Sequence, residues 1–323
     1  LLTMVSRKWY KSCIAYISKF RELQYKLPCH SFTAKEKNIL WENRNNFVGH
    51  SNWLVILIRS IDKYDNEKYS EIIKLLDVTD KKINCWNLMC SRSCTEEISP
   101  ENALELLNEN IINEEIRKYG VHYLSKANDK VIECLLPLIV YNLRFENRGI
   151  TPLSTFIISR CLKSKVLFND FYWELIIQLE DIKNQVIYSK ILDSLICLAH
   201  KKFGNIFIDQ LSKTKTFTNI LMKTNSHKNL DKVKEYLYSQ INSFELENNN
   251  ICMPVKPNYI ANKFNIDNLE IKNSAKYPLF LSFECYNEKN NNETNNENNT
   301  FSYESIFKKE DLRKDKIIIS IIK

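Results

Sequence analysis

SPENALELLNENIINEEIRKYGVHYLSKANDKVIECLLPLIVYNLRFE, residues 99–146, decides the fold class because it carries three helix starts in succession. Ser99 followed by Pro100 and Glu101 reads as an N-cap with proline at the first helical position, where a missing N–H costs nothing. Asn113 ahead of Glu114 and Glu115 offers a side-chain acceptor to the first free amides and sets two carboxylates at the positive end of a helix. Asp129 and its neighbours lead into KVIECLLPLIVYNL, which is apolar on most sides and predicts a buried helix.

The same grammar extends both ways. Thr33 precedes AKEKNILWENRNNF, with Ile39, Leu40 and Phe47 at helical spacing, and Ser51 opens NWLVILIRSI. TPLSTFIISRCL and FNDFYWELIIQL follow after residue 150. Successive helices with short links and almost no glycine predict a mainly α region over 33–245, an irregular right-handed stack of antiparallel helix pairs of the HEAT or armadillo kind. No strict repeat period is present. Residues 1–32 read as a linker or a partial N-terminal region.

Composition narrows the classes. The 323 residues are 44% apolar, enough for a real core. The net charge of +7 is spread among interleaved acids and bases, so it permits contact with anionic lipid or nucleic acid without selecting either. Of the ten cysteines, Cys85, Cys90 and Cys94 lie closest together but form no Cys-x-x-Cys pair, which favours structural thiols in a reducing compartment over zinc or disulfides. The longest apolar runs, CLLPLIV at 134–140 and WLVILI at 53–58, fall short of the ~18 residues of a bilayer span. The opening LLTMVSRKWY has no signal-peptide pattern and reads as cut from something longer. Trp41, Trp53, Trp86, Phe171, Tyr172 and Trp173 are expected in the core, and the lysines of HKNLDKVK, with Lys201 and Lys202, on a solvated helix face. The histidines have no partners at triad or metal spacing.

After residue 245 the texture changes. ELENNN and MPVKP read as an extended linker, since Pro254 and Pro257 bias their predecessors away from helix. LEIKNSAKYPLFLSFECY and TFSYESIF are strand-like. Between them, residues 287–299 are so rich in asparagine that a disordered hairpin loop is expected. A second, α+β domain therefore begins near 252 and is unfinished at 323.

Taken as a set, WENRNNF at 41–47, the 99–146 stretch and TPLSTFIISRCLKSKVLFNDFYWELIIQLED at 151–181 resemble the helical accessory domain of phosphatidylinositol 3-kinases, most nearly the class III enzymes. NSAKYPLFLSF at 273–283 resembles the phosphate-binding loop and next strand of a lipid-kinase N-lobe, and IFKKEDLRKDKIIISII resembles the strand and helix that follow. The resemblance implies ATP-dependent phosphorylation of the inositol 3-hydroxyl of phosphatidylinositol with Mg2+ or Mn2+. It also implies a cytoplasmic protein recruited to endosomal or vacuolar membranes, where such enzymes serve autophagy, and a protein-kinase-like regulatory subunit; no nucleic acid is expected. By the same resemblance Lys308 contacts phosphate, Ser274 hydrogen-bonds phosphate oxygens, Ile306, Pro278 and Phe280 line the nucleotide, Asp315 is the carboxylate deep in the pocket and Asp311 the acid opening the helix.

Two departures matter. Between the lysine and Leu-Arg the family places a glycine and two acids, whereas here only Lys309, Glu310 and Asp311 intervene, one residue short and without glycine, a turn expected to misplace Lys308. The four glycines, Gly49, Gly120, Gly149 and Gly204, all precede the kinase-like part, so an Asp-Phe-Gly motif and a catalytic loop are missing, and these 323 residues are expected to be inactive alone, with neither catalytic nor metal-binding residues of their own. The rival readings are a phosphatidylinositol 4-kinase, against which Phe307 and Asp315 speak, and a noncatalytic helical-repeat scaffold, which has no use for a nucleotide-lobe strand order.

Overall fold

The computed structural model describes residues 20–27, 30–48, 50–80, 98–146, 150–224, 229–244, 250–274, 277–288, 300–308 and 310. Its chain divides into two compact units, one of Leu1–Asn147 with Thr151–Phe156 and one of Arg148–Ile150 with Ile157–Lys323.

Helices α1 (Ala34–Glu42), α2 (Ser51–Ser60), α3 (Asn66–Asp80), α4 (Pro100–Glu105), α5 (Glu114–Ser125) and α6 (Asp129–Asn142) belong to the first unit. Their starts follow the side chains that cap them. Thr33 accepts from the Glu36 N–H while the Glu36 carboxylate accepts from the Thr33 N–H, a reciprocal capping box. Ser99 accepts from the Asn102 N–H, and Asn113 from those of Glu115 and Ile116. Helix α6 is capped by Asn128, one residue before the expected Asp129. The core gathers Leu40, Leu54, Leu57, Tyr69, Ile72, Leu106, Ile116 and Leu136. Phe47 stacks on Trp53 at 5.1 Å.

Helices α4 and α5 touch at Gly120, where a Cβ would stand 3.0 Å from the Ala103 carbonyl oxygen. Beside it Arg117 is buried. Its guanidinium pairs with the buried carboxylate of Glu146 and donates to the carbonyls of Leu107 and Ile111 at 2.9 and 3.1 Å. One expectation is corrected here. Helix α6 buries a single face, Ile132, Leu136, Ile139 and Val140, and leaves Cys134, Leu138 and Tyr141 exposed at helical spacing. Its apolar sequence therefore exceeds what this unit covers.

Helix α7 (Pro152–Cys161) contains the division between the units. The second unit continues through α8 (Lys165–Gln178), α9 (Gln185–Phe203), α10 (Asn205–Thr224) and α11 (Leu230–Phe244). Of the aromatic residues expected in the core, Phe171 and Tyr172 of α8 are buried, Trp41, Trp53 and Trp173 are half-buried, and Trp86 lies outside the described residues. A five-stranded antiparallel sheet follows, formed by β1 (Ile251–Met253), β2 (Lys256–Phe264), β3 (Glu270–Ile271), β4 (Leu279–Asn287) and β5 (Phe301–Phe307). The MPVKP part of the stretch expected as an extended linker lies in a paired hairpin, with Ile251 opposite Ala261 and Pro254 at its turn, while 245–249 lie outside the described residues. Proline excludes helix but suits a turn or the start of a strand, so the extended backbone was legible and its pairing was not.

Strand β4 is central. One edge pairs with β2 along 283–287 and with β3 along 279–280, and the other pairs with β5 from Cys285–Phe301 to Leu279–Phe307. The sheet's inner face, Ile251, Met253, Ala261, Leu279, Leu281, Phe283 and Cys285, shares one core with Phe217 and Leu221 of α10 and Val233 and Leu237 of α11. Polar ties join the same layers. The Thr214 hydroxyl donates to the Cys252 carbonyl at 3.0 Å and the Asn169 amide to that of Pro254 at 2.7 Å. Of the stretch expected as a disordered loop, Asn287 closes β4 and Glu288 pairs with Lys165 at 2.9 Å, while 289–299 lie outside the described residues.

Candidate functional site

Strand alternation sorts the sheet's two faces. On β5 Phe301, Tyr303, Ser305 and Phe307 are half-buried on the core side, and Ser302, Glu304 and Ile306 are exposed. On β4 Leu279, Leu281 and Phe283 point into the core, which leaves Phe280 on the opposite face. Register then builds a row across three strands, with Glu270 of β3 opposite Phe280 of β4 and Phe280 opposite Ile306 of β5. Ile306 is 64% exposed, an apolar side chain offered to solvent on a strand.

Cations frame this row. Lys272 lies over the Phe280 ring, 4.6 Å from its centroid, and pairs with Glu270 at 2.6 Å. Lys308 directly follows Phe307, the last residue of β5, and Pro278 directly precedes its partner Leu279, so both lie at the end of the β4–β5 ladder. Lys308 is half-buried and ion-paired with Glu310, whose N–H donates to the Lys308 carbonyl at 3.1 Å.

The β3–β4 turn closes the same end of the sheet. Ser274 is exposed there, and its carbonyl accepts from the Tyr277 N–H at 3.0 Å. Tyr277 takes a left-handed φ of 45°, uncommon for a residue with a Cβ and a mark of a constrained turn. Pro278 is buried, and its carbonyl accepts from the Lys272 N–H at 2.9 Å.

Of the residues singled out in the sequence, Phe280 and Ile306 are direct cross-strand partners, and Ser274, Pro278 and Lys308 stand at one end of the sheet. Asp311 and Asp315 lie outside the described residues. Sequence reasoning missed Lys272 and Glu270, whose only signal was the alternation of LEIK ahead of the turn, and the partnership of Glu310 with Lys308. The thiols nearby are inert. Burial pushes Cys285 up to about 11 and raises Cys252 as well, so neither offers a thiolate near neutral pH.

Comparison with known proteins now decides the lineage. Residues 13–207 match the phosphoinositide 3-kinase family accessory domain, the PIK domain. The chain belongs to the phosphoinositide 3-kinase family. Its fold, mainly α helices followed by a small antiparallel sheet, is that of a helical accessory domain leading into part of an α+β kinase lobe. Among similar curated proteins are phosphatidylinositol 3-kinase pik3 of Schizosaccharomyces pombe, 24% identical over 91% of this chain and 36% of its own length, and phosphatidylinositol 3-kinase VPS34 of Arabidopsis thaliana, 24% identical over 94% and 36%. VPS34 of Saccharomyces cerevisiae is 22% identical over 91% of this chain and 37% of its own. These relatives agree with the class III likeness of the helical stretches, and the chain spans about a third of their length. No helix among the described residues is long and apolar enough to cross a membrane.

Proposed function

We propose that this chain is the accessory and lobe-opening part of a phosphatidylinositol 3-kinase that transfers the ATP γ-phosphate to the inositol 3-hydroxyl of phosphatidylinositol. Residues 33–245 serve as the helical accessory domain and 246–323 open the kinase N-lobe. The observation that carries the reading is the outward row of Phe280 and Ile306, with Lys308 directly after β5 and Pro278 directly before β4 at the same end of the sheet. A flat apolar surface beside a fixed ammonium suits a nucleotide, whose base is planar and whose phosphates carry several negative charges. Lysine is a compact point charge, and the end of a paired strand restricts where it can go.

In this reading Ser274 donates its hydroxyl to phosphate oxygens, Phe280 and Ile306 face the base, and Asp311 and Asp315 complete the pocket. A divalent metal supplies charge neutralisation on the phosphates. Among the described residues no group of three or more His, Cys, Asp or Glu could hold it, and none is assigned to it. The protein acts at phosphatidylinositol membranes of the endosomal or vacuolar system, as a peripheral cytoplasmic protein beside a protein-kinase-like regulatory subunit. Relatives named as phosphatidylinositol 3-kinases support the lipid-kinase part of this reading.

The test is lipid phosphorylation by the product of the complete gene. Lys308→Ala lowers the yield of 3-phosphorylated inositol lipid by roughly 10²-fold or more, the scale for removing one charge-stabilising group from a reacting phosphoryl site. Unchanged output removes Lys308 from the site.

A further inference from the structure

We propose that Glu310 is a built-in competitor for the phosphate groups of the nucleotide at Lys308; this rests on the reading of Lys308 just given. The carboxylate is paired with the Lys308 ammonium, and the backbone holds the two residues together through the Glu310 N–H on the Lys308 carbonyl, 3.1 Å. Both side chains are about one-third exposed, 34% for Lys308 and 37% for Glu310, so the pair sits at a boundary that an entering anion reaches from water. Lysine carries one positive charge and no acceptor. While Glu310 holds it, that charge is already matched, and a triphosphate approaching it meets a carboxylate of its own sign.

Two other charged residues described near this face are already placed. Lys272 is engaged by Glu270 and by the Phe280 ring. Glu304 is exposed on the outward row of β5, opposite Ser282. In this proposal Lys308 and Glu310 form a two-state element: closed on each other, or opened with the ammonium on phosphate. No bond is made or broken in the exchange. The consequence is a lowered affinity for nucleotide, set by a residue that need not touch it once bound. An exposed pair of this kind holds an equilibrium by roughly a two- to fivefold factor.

Steady-state kinetics of the complete gene product measure it, with lipid vesicles of phosphatidylinositol as acceptor and ATP varied. Glu310→Gln and Glu310→Ala both remove the charge. The expected result is a KM for ATP roughly two- to fivefold lower in each, exceeding any change in kcat. A KM that stays put or rises overturns the proposal, a rise meaning that Glu310 steers the lysine instead of occupying it. Glutamine keeps the shape and alanine removes it, so a fold defect in one leaves the other to decide. Lys308→Ala in the same assay separates the two claims. If it abolishes turnover while the Glu310 variants match the parent, Glu310 is idle and the phosphate role of Lys308 stands; if it leaves turnover intact, the site reading falls with the proposal.

Discussion

The two units are each held together in a different way. In the first, local caps such as Thr33 to Glu36, Ser99 to Asn102 and Asn113 to Ile116 start the helices, and polar ties such as Asn102 to Asn52, Arg59 to Glu105 and Arg117 to Glu146 join residues well apart in the chain. In the second the ties run from helix to sheet. Thr214 reaches Cys252, Asn169 reaches Pro254 and Lys165 reaches Glu288, and α10 and α11 complete a core whose other half is sheet. Helices after 157 and strands after 251 thus form one packed body, although their sequence textures differ completely. Helices α10 and α11 act in this chain as the inner layer for the strands that carry the candidate site.

The largest expected effect tests the first unit. Arg117→Ala leaves the Glu146 carboxylate buried without its cation and strips donors from the carbonyls of Leu107 and Ile111. Breaking one side of a buried pair costs about 3–5 kcal/mol. In denaturant unfolding followed by segment-resolved hydrogen exchange, protection falls across α4–α6 and survives in the sheet. Phe283→Ala reverses the pattern. The ring is 1% exposed and lies 5.0 Å from Phe264 and 5.9 Å from Phe217. Its loss costs about 3–4 kcal/mol, and protection falls in α10 and the strands together while α1–α6 keep theirs. If either variant loosens both units equally, the contrast between them is false.

That contrast also explains what was legible beforehand. Ser99-Pro100, Asn113 and Thr33 announced their helices because a cap is a contract between neighbours, written in four consecutive residues. The strands at 279–287 and 301–307 showed through alternation. What failed were the statements that needed a partner. MPVKP, residues 253–257, looked like a linker because nothing within it says that β1 pairs with β2 and β2 with β4. Helix α6 looked buried because composition does not say how many neighbours a helix has. At the site, Phe280 and Ile306 were named by resemblance, but their register across β4 and β5 belongs to the fold. The hold of Glu310 on Lys308 was invisible for a different reason: the sequence shows that acids follow the lysine, while which of them meets it depends on the backbone between them.

The smallest effect is the sharpest probe of range. Asn113 caps α5 with one side-chain oxygen, 3.1 Å from the N–H groups of both Glu115 and Ile116, and touches nothing distant in that role. Asn113→Ala leaves those two amides to water and costs about 1 kcal/mol. Because the helix start also carries Glu114 and Glu115, whose charges favour its positive end, the helix frays without melting. Amide exchange should therefore accelerate at Glu115, Ile116 and Arg117 by roughly the fivefold that such an energy allows, with Tyr123 and Leu124 at the far end unchanged. Acceleration that spreads to the sheet would mean that even the capping contacts of the first unit are coupled across the chain, and the separation of local caps from long ties would have to be given up.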